Sequence, residues 1–264
     1  MHPVGLHAWL FDLDGVLTDT ASVHVVAWKD VFDELLERLG QPLFDPVHDY
    51  VRYVDGKPRA AGVRDFLASR GITLPEGERD DDPQADTVQG VGRRKNARFL
   101  ELLATDGVAT FPSSIAFVRA LRDGGRCTAV VSASENCVPV LVAAGIGGLF
   151  HVIVDGAVAE REHLAGKPAP DTFLHAAELL GIRPDEAAVV EDAPAGVAAG
   201  RAGGFAYVVG IARRATGAEL LDAGAHVVVA DLGDFSALLE MMREAPHGAR
   251  GLHVAAAPRL IVPG

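Results

Sequence analysis

Ala8-Trp9-Leu10-Phe11-Asp12-Leu13-Asp14-Gly15 decides how this chain is read, because an apolar run turns there into two carboxylates and a glycine. Short apolar runs without alternation are what a strand covered on both faces requires. Comparable runs recur at Cys127 to Val131, His151 to Val154, Ala187 to Val190, Ala206 to Val209 and His226 to Val229. From residue 127 onward they alternate with segments predicted to be helical at 136–144, 171–181, 194–202, 216–223 and 233–244. Gly145, Gly181 and Gly224 fall where helix C-caps are expected. This alternation predicts an α/β fold, a doubly wound parallel sheet built from βαβ units.

More than a hundred residues separate the first strand from this array, and they read differently. Helices are predicted over 23–39, 61–70 and 96–103, with an acidic, proline-containing loop at 76–86. Arg93, Arg94 and Lys95 are the densest cationic run and read as the solvated start of a helix. The expected organisation is an α/β core from residues 1–19 and 108–244, an inserted α-helical cap at 20–107 and a C-terminal extension at 245–264. Re-entry into the sheet is placed near Thr110-Phe111-Pro112.

A chain of 264 residues can bury a core without disulfides or structural metals. Its 49% apolar and 23% charged residues describe an ordinary globular protein. Net charge is 24 minus 36, or −12, which with no basic patch argues against nucleic acid or an anionic membrane as partner. The two cysteines, Cys127 and Cys137, form no CxxC pattern and read as reduced structural residues. Residues 1–11 lack a basic segment followed by a long apolar one, so the protein is expected to be cytoplasmic, and it is expected to be a monomer.

Ligands of a doubly wound sheet sit beyond the carboxyl ends of its strands. There this sequence carries Asp12 and Asp14, Ser132 and Ser134, and Glu191 and Asp192, with Lys167 in a Gly-Lys-Pro turn before a helix. Four acids at two strand ends call for a cation, and oxygen ligands without nearby Cys or His favour Mg²⁺. Lys167 offsets the acids and can hold a phosphoryl group, Ser132 offers a hydroxyl, and the amides of Ser134 to Asn136 suit an anion. One carboxylate beside metal and phosphate can act as nucleophile while a second exchanges a proton, roles that suit Asp12 and Asp14. Singly, each motif is also an ordinary turn, cap or loop; their joint placement at strand ends points to phosphoryl transfer.

These motifs resemble the haloacid dehalogenase superfamily: Asp12-Leu-Asp14-Gly-Val-Leu-Thr-Asp19, Ser132, Lys167 and Glu191-Asp192, within about residues 8 to 232. The resemblance implies Asp12 as nucleophile, Asp14 as general acid/base, and Mg²⁺ held by Asp12, Asp14 through its backbone carbonyl, Glu191 and Asp192. Phosphate binding falls to Ser132, Ala133 and Lys167. Asp14 argues against the dehalogenase and phosphonate-cleaving branches, which lack that acid. A narrower resemblance, to the β-phosphoglucomutase-like branch, rests on Asp19-Thr-Ala-Ser-Val-His24 with Trp28, Gly56 with Arg59, Arg94-Lys95-Asn96 and Ser132-Ala-Ser-Glu-Asn136. It implies substrate binding by Thr20, His24, Trp28, Gly56, Arg59, Lys95, Ser134 and Asn136. The expected substrate is a small sugar phosphate and the expected reaction the exchange of β-glucose 1-phosphate with glucose 6-phosphate. The route would run through an aspartyl phosphate and glucose 1,6-bisphosphate.

Asp55 and Glu135 stand where that branch carries lysines. A reversed charge about 4 Å from a phosphate costs on the order of 4 kcal/mol at an effective dielectric of 20. Lys57 restores a positive charge if it points toward the phosphate. The alternatives are a Mg²⁺-dependent sugar-phosphate phosphatase and, third, a non-catalytic phosphate-binding module.

Overall fold

The structure, a computed structural model, describes residues 6–55 and 57–236. Contacts divide the chain into two compact units, one drawn from Met1–Asp19 and Ala109–Gly264, the other from Thr20–Val108. The first contains β1 (Ala8–Phe11), β2 (Cys127–Val131), β3 (Val152–Val154), β4 (Ala187–Glu191), β5 (Tyr207–Ile211) and β6 (Val227–Val229). Helices α1 (Thr20–Arg38), α2 (Arg59–Ser69) and α3 (Val88–Thr105) belong to the second unit. Helices α4 (Pro112–Asp123), α5 (Cys137–Ala143), α6 (Gly156–Arg161), α7 (Asp171–Leu180), α8 (Pro194–Ala202) and α9 (Gly217–Asp222) belong to the first.

All strand pairs are parallel, in the order β3-β2-β1-β4-β5-β6. The first strand in sequence is thus central, and the strand order reverses beside it, which opens a crevice at its carboxyl end. Side chains alternate between two covered faces. Ala8 and Leu10 join Ala129, Val131, Val189, Val208, Phe173 and Phe205 in one core cluster. Trp9 and Phe11 meet Phe117 of α4 on the other face, with ring centroids 5.1 and 6.3 Å apart. Each fully buried large side chain contributes roughly 1.5–3 kcal/mol. This is the doubly wound α/β sheet that the apolar runs predict.

Two helices of this unit have no counterpart in the sequence reading. Pro112 opens α4, because the first helical turn needs no N–H from it, so a residue that reads as a break is a start. At α6 the carboxylate of Asp155 accepts from Val158 N–H at 2.8 Å, capping a helix too short to show a period. The helix expected at 233–244 is described to Ser236, and its remainder and the 245–264 extension lie outside the described residues.

The Thr20–Val108 unit packs α1, α2, α3 and a π-helical turn at Tyr50–Val54 around Trp28, Phe32, Phe44, Phe66 and Val91. The rings of Phe32 and Phe66 lie 4.2 Å apart. Helix α3 begins at Val88, eight residues before its expected start, with the Thr87 hydroxyl accepting from Gly90 N–H at 2.9 Å. Gly90 and Gly92 hide that first turn from propensity. As a result Arg94 and Lys95 lie within α3, only 7% and 3% exposed, and are not a solvated helix start. Cys127 and Cys137 are free thiols. Among the described residues, no helix is long and apolar enough to cross a membrane.

Candidate active site

Strand β1 ends one residue before Asp12, whose N–H still donates to the Val190 carbonyl at 3.0 Å. The chain then folds back: Leu17 and Thr18 N–H donate to Leu13 O, and Gly15 N–H donates to Thr18 O at 2.9 Å. Gly15 sits at φ +81°, and a Cβ there would lie 1.9 Å from Asp192 Oδ2. Glycine therefore allows the turn and makes room for a carboxylate from the neighbouring strand end.

Lys167 ties the two strand ends together. Its ammonium donates to Asp12 Oδ1 at 2.5 Å, Glu191 Oε1 at 2.6 Å and the Val131 carbonyl at 3.1 Å, and it lies 4.9 Å from the centre of the Phe173 ring. Glu191 is fixed from its other oxygen as well, which accepts from Asp192 N–H at 3.0 Å and Ala193 N–H at 3.1 Å. Its carboxylate fills the space beside Gly196 in α8, where a Cβ would meet Oε1 at 1.8 Å.

Asp12, Glu191 and Asp192 each bring a carboxylate oxygen within 4.8 Å of the others, and all three are buried. Burial raises the Asp12 carboxyl well above its usual range; Lys167 opposes this, while Glu191, Asp14 and Asp192 push the same way. Asp192 is pushed up to about 7, first by burial and then by Glu191, against the nearby charge of Arg214. Burial works against the Lys167 ammonium, but Asp12 and Glu191 outweigh it and hold that group charged. One ammonium among three acids leaves excess negative charge, and a compact set of hard oxygens without imidazole or thiolate fits a divalent cation.

A testable pH dependence follows from the sign of the Asp192 shift. In the cation-free protein this acid contributes stability that is lost as pH rises from the ordinary carboxylate range through about 7, because the folded state holds the proton more tightly. A cation must displace that proton, so Mg²⁺ is expected to raise Tm more at pH 8 than at pH 6. Thermal scans with and without Mg²⁺ check this, and an equal or larger rise at pH 6 counts against the cluster as the cation site.

The carboxylate of Asp14 stands outside the group of three and is partly exposed, though its charge reaches Asp12 and Asp192. Ser132 lies at the end of β2, 2% exposed, its N–H on the Val154 carbonyl at 3.0 Å. The expected cradle of amides is partly committed elsewhere. Ser134 N–H donates to Ser132 Oγ and Asn136 N–H to Ser134 Oγ, both at 3.1 Å, because serines in a tight turn bond their own backbone. The Ala133 carbonyl packs against Gly156.

In the helical unit the structure brings His24, Trp28 and Lys95 together. The Lys95 ammonium contacts His24 Nδ1 and lies 5.2 Å from the Trp28 ring centre and 4.8 Å from that of Phe99, on which His24 stacks at 4.2 Å. Thr20 is buried, and Arg59 donates to Asn96 Oδ1 at 2.9 Å. Gly56 lies outside the described residues. Lys57 is turned onto Asp65 at 2.5 Å in an exposed pair, so its charge is spent locally.

Sequence reasoning missed Phe173, Gly196 and the pair Arg213 and Arg214. Phe173 and Gly196 carry no polar group and act only through what packs against them. The arginines follow β5 at its carboxyl end, where the strand-end rule could have found them.

A family model described as haloacid dehalogenase-like hydrolase matches residues 6–204. A β-phosphoglucomutase of Mycobacterium bovis is 52% identical over 241 residues, covering 88% of this chain and 92% of its own. Hexitol phosphatase A of Escherichia coli is 32% identical over 199 residues, covering 74% of this chain and 79% of its own. Among solved structures, a putative β-phosphoglucomutase from Thermotoga maritima superposes with TM-score 0.69 at 22% identity, covering 91% of this chain and all of its own.

Proposed function

Because this chain belongs to the haloacid dehalogenase-like hydrolase family, we propose that it acts as a Mg²⁺-dependent β-phosphoglucomutase with Asp12 as nucleophile. The observation that carries the reading is Lys167 bridging Asp12 and Glu191 within a buried group of three carboxylates. Asp12, Glu191 and Asp192 would hold the cation, with the backbone carbonyl of Asp14. When bound it offsets negative charge on the acids and on a phosphate brought beside them.

The chain's own residues divide the remaining work. Lys167 fixes one oxygen of Asp12, which orients the carboxylate toward phosphorus. An Asp12 oxygen forms a bond to phosphorus as the bond from phosphorus to the departing oxygen breaks, giving an aspartyl phosphate. Asp14, the less buried of the two acids on this turn, takes the proton of the attacking sugar hydroxyl in the forward transfer and returns one to the departing oxygen in the reverse. Ser132 donates its hydroxyl to the phosphoryl group, with Ala133 beside it. Thr20, His24, Trp28, Gly56, Arg59, Lys95, Ser134 and Asn136 serve the sugar phosphate in the same proposal. Transfer from phospho-Asp12 to O6 of β-glucose 1-phosphate, and return of the C1 phosphate to Asp12, completes the exchange.

The β-phosphoglucomutase of M. bovis, 52% identical, supports transfer to a sugar over transfer to water. The second reading, a sugar-phosphate phosphatase, is favoured by the acids Asp55 and Glu135 and by the similarity to hexitol phosphatase A. Incubating the protein with Mg²⁺, β-glucose 1-phosphate and a trace of glucose 1,6-bisphosphate separates them by phosphorus NMR. Glucose 6-phosphate without free phosphate is expected; free phosphate as the main product overturns the mutase in favour of the phosphatase.

A further inference from the structure

Within the helical unit, α1 and α3 each carry a basic and an aromatic side chain one turn apart, and the two pairs interlock. His24 and Trp28 lie four residues apart on α1, as Lys95 and Phe99 do on α3. The His24 ring lies flat on that of Phe99, with centroids 4.2 Å apart and planes 12° from parallel. The Lys95 ammonium lies 4.8 Å from the centre of the same Phe99 ring, 5.2 Å from that of Trp28, and in contact with His24 Nδ1. Phe99 and Lys95 are buried and His24 is half-buried. One ring without a polar atom thus touches both polar residues and cannot shift without disturbing them.

An ammonium donates and cannot accept, so the imidazole nitrogen that it contacts is the one without a proton. Two aromatic faces on Lys95 favour the charged form on which this argument depends. The single proton of a neutral imidazole then sits on Nε2. Phe99 restricts the ring to flat orientations, of which there are two, related by a half-turn about Cβ–Cγ. Lys95 selects the one that brings Nδ1, and not Cδ2, to its ammonium. We infer that Phe99 is a positioning residue that holds His24 as the Nε2–H tautomer, so that His24 serves the sugar phosphate as a hydrogen-bond donor and not as a base. This rests on the substrate-binding role proposed for His24 above. The ligand group that suits it is an oxygen acceptor, a phosphoryl oxygen or a sugar hydroxyl, which leaves proton transfer to Asp14.

The tautomer is read by ¹⁵N correlation spectra of the histidine side chains at pH 8. Loss of signal in His24→Gln picks out His24 from the ten imidazoles of the chain. In the unmodified protein Nε2 is expected to bear the proton and Nδ1 none, and in Phe99→Leu the two nitrogens should move toward averaged values. The effect on the ligand is read by equilibrium titration of glucose 6-phosphate with Mg²⁺ in the Asp12→Asn background, where no phosphoryl group moves. Phe99→Leu is expected to weaken binding by about fivefold or more when His24 is present and by less than about twofold when His24→Leu accompanies it, as coupled neighbours require. His24→Asn should bind at least about fivefold more weakly than His24→Gln, whose amide nitrogen reaches the place of Nε2. Thermal unfolding checks that Phe99→Leu is folded at the titration temperature; if it is not, Phe99→Met refills the space without a π face. A proton on Nδ1, equal losses with and without His24, no loss, or no binding of glucose 6-phosphate by the background protein overturns the inference. Failure of the mutase reading shows separately, as free phosphate released by the unmodified protein, and leaves the spectra and the titration decisive for Phe99.

Discussion

Replacing Asp12 by Asn is expected to lower every phosphoryl transfer by at least about 10⁴-fold, the scale seen when a covalent nucleophile is lost and only binding and electrostatics remain. Asn retains the size and one oxygen of Asp12 but has no anionic oxygen with which to bond phosphorus. The Lys167 contact at Oδ1 can persist through the amide oxygen, so folding should be little affected. Turnover of β-glucose 1-phosphate and trapping of a hydroxylamine-sensitive acyl phosphate are the two measurements. The unmodified protein should yield the trapped species and the variant none. Turnover in the variant within a hundredfold of the original would remove Asp12 from the nucleophile's role.

Lys167→Met is expected to destabilise the cation-free protein by about 3–5 kcal/mol, the cost of leaving buried charges without their partner. Methionine fills much the same volume and keeps the contact with Phe173, so the loss reads the charge more than the packing. Asp12 and Glu191 would then face Asp192 with no cation among them. Urea unfolding at pH 8 and pH 5 measures the effect, and the penalty should shrink at pH 5, where the raised carboxyl of Asp12 can take a proton. Mg²⁺ should recover part of the loss at pH 8. A penalty unchanged by pH would mean that the lysine's stem, not its charge, supports the fold.

Both expectations start from residues legible in the sequence, and the reason is geometric. Strands buried on both faces appear as bare apolar runs, so the first polar residues after them, Asp12, Ser132 and Glu191, mark the crevice without knowledge of tertiary structure. What was not legible depends on contacts across the sequence. Glu191 reads as one more metal acid, yet its carboxylate is drawn over Gly196 by two backbone amides and a lysine from another loop. The early start of α3 is hidden by Gly90 and Gly92, whose lack of side chains serves packing rather than helix propensity; at Gly90 a Cβ would meet the Ala85 carbonyl at 2.3 Å. Arg213 looks like any surface cation until its stacking on the Phe111 ring and its pairing with Asp231 are seen.

The parallel register of the central strands carries a consequence for how this catalyst can vary. Phe11 stands opposite both Val130 and Val190, and the next backbone bond, from Asp12 to Val190, aligns the first acid with Glu191. The spacing of the reactive groups is thus ruled by the peptide repeat, much as graduations are ruled on a scale, and apolar side chains beneath can be exchanged without moving the marks. A single residue deleted from β1 slips every mark at once. Such a chain can tolerate drift in its oily residues while remaining intolerant of any change in strand length.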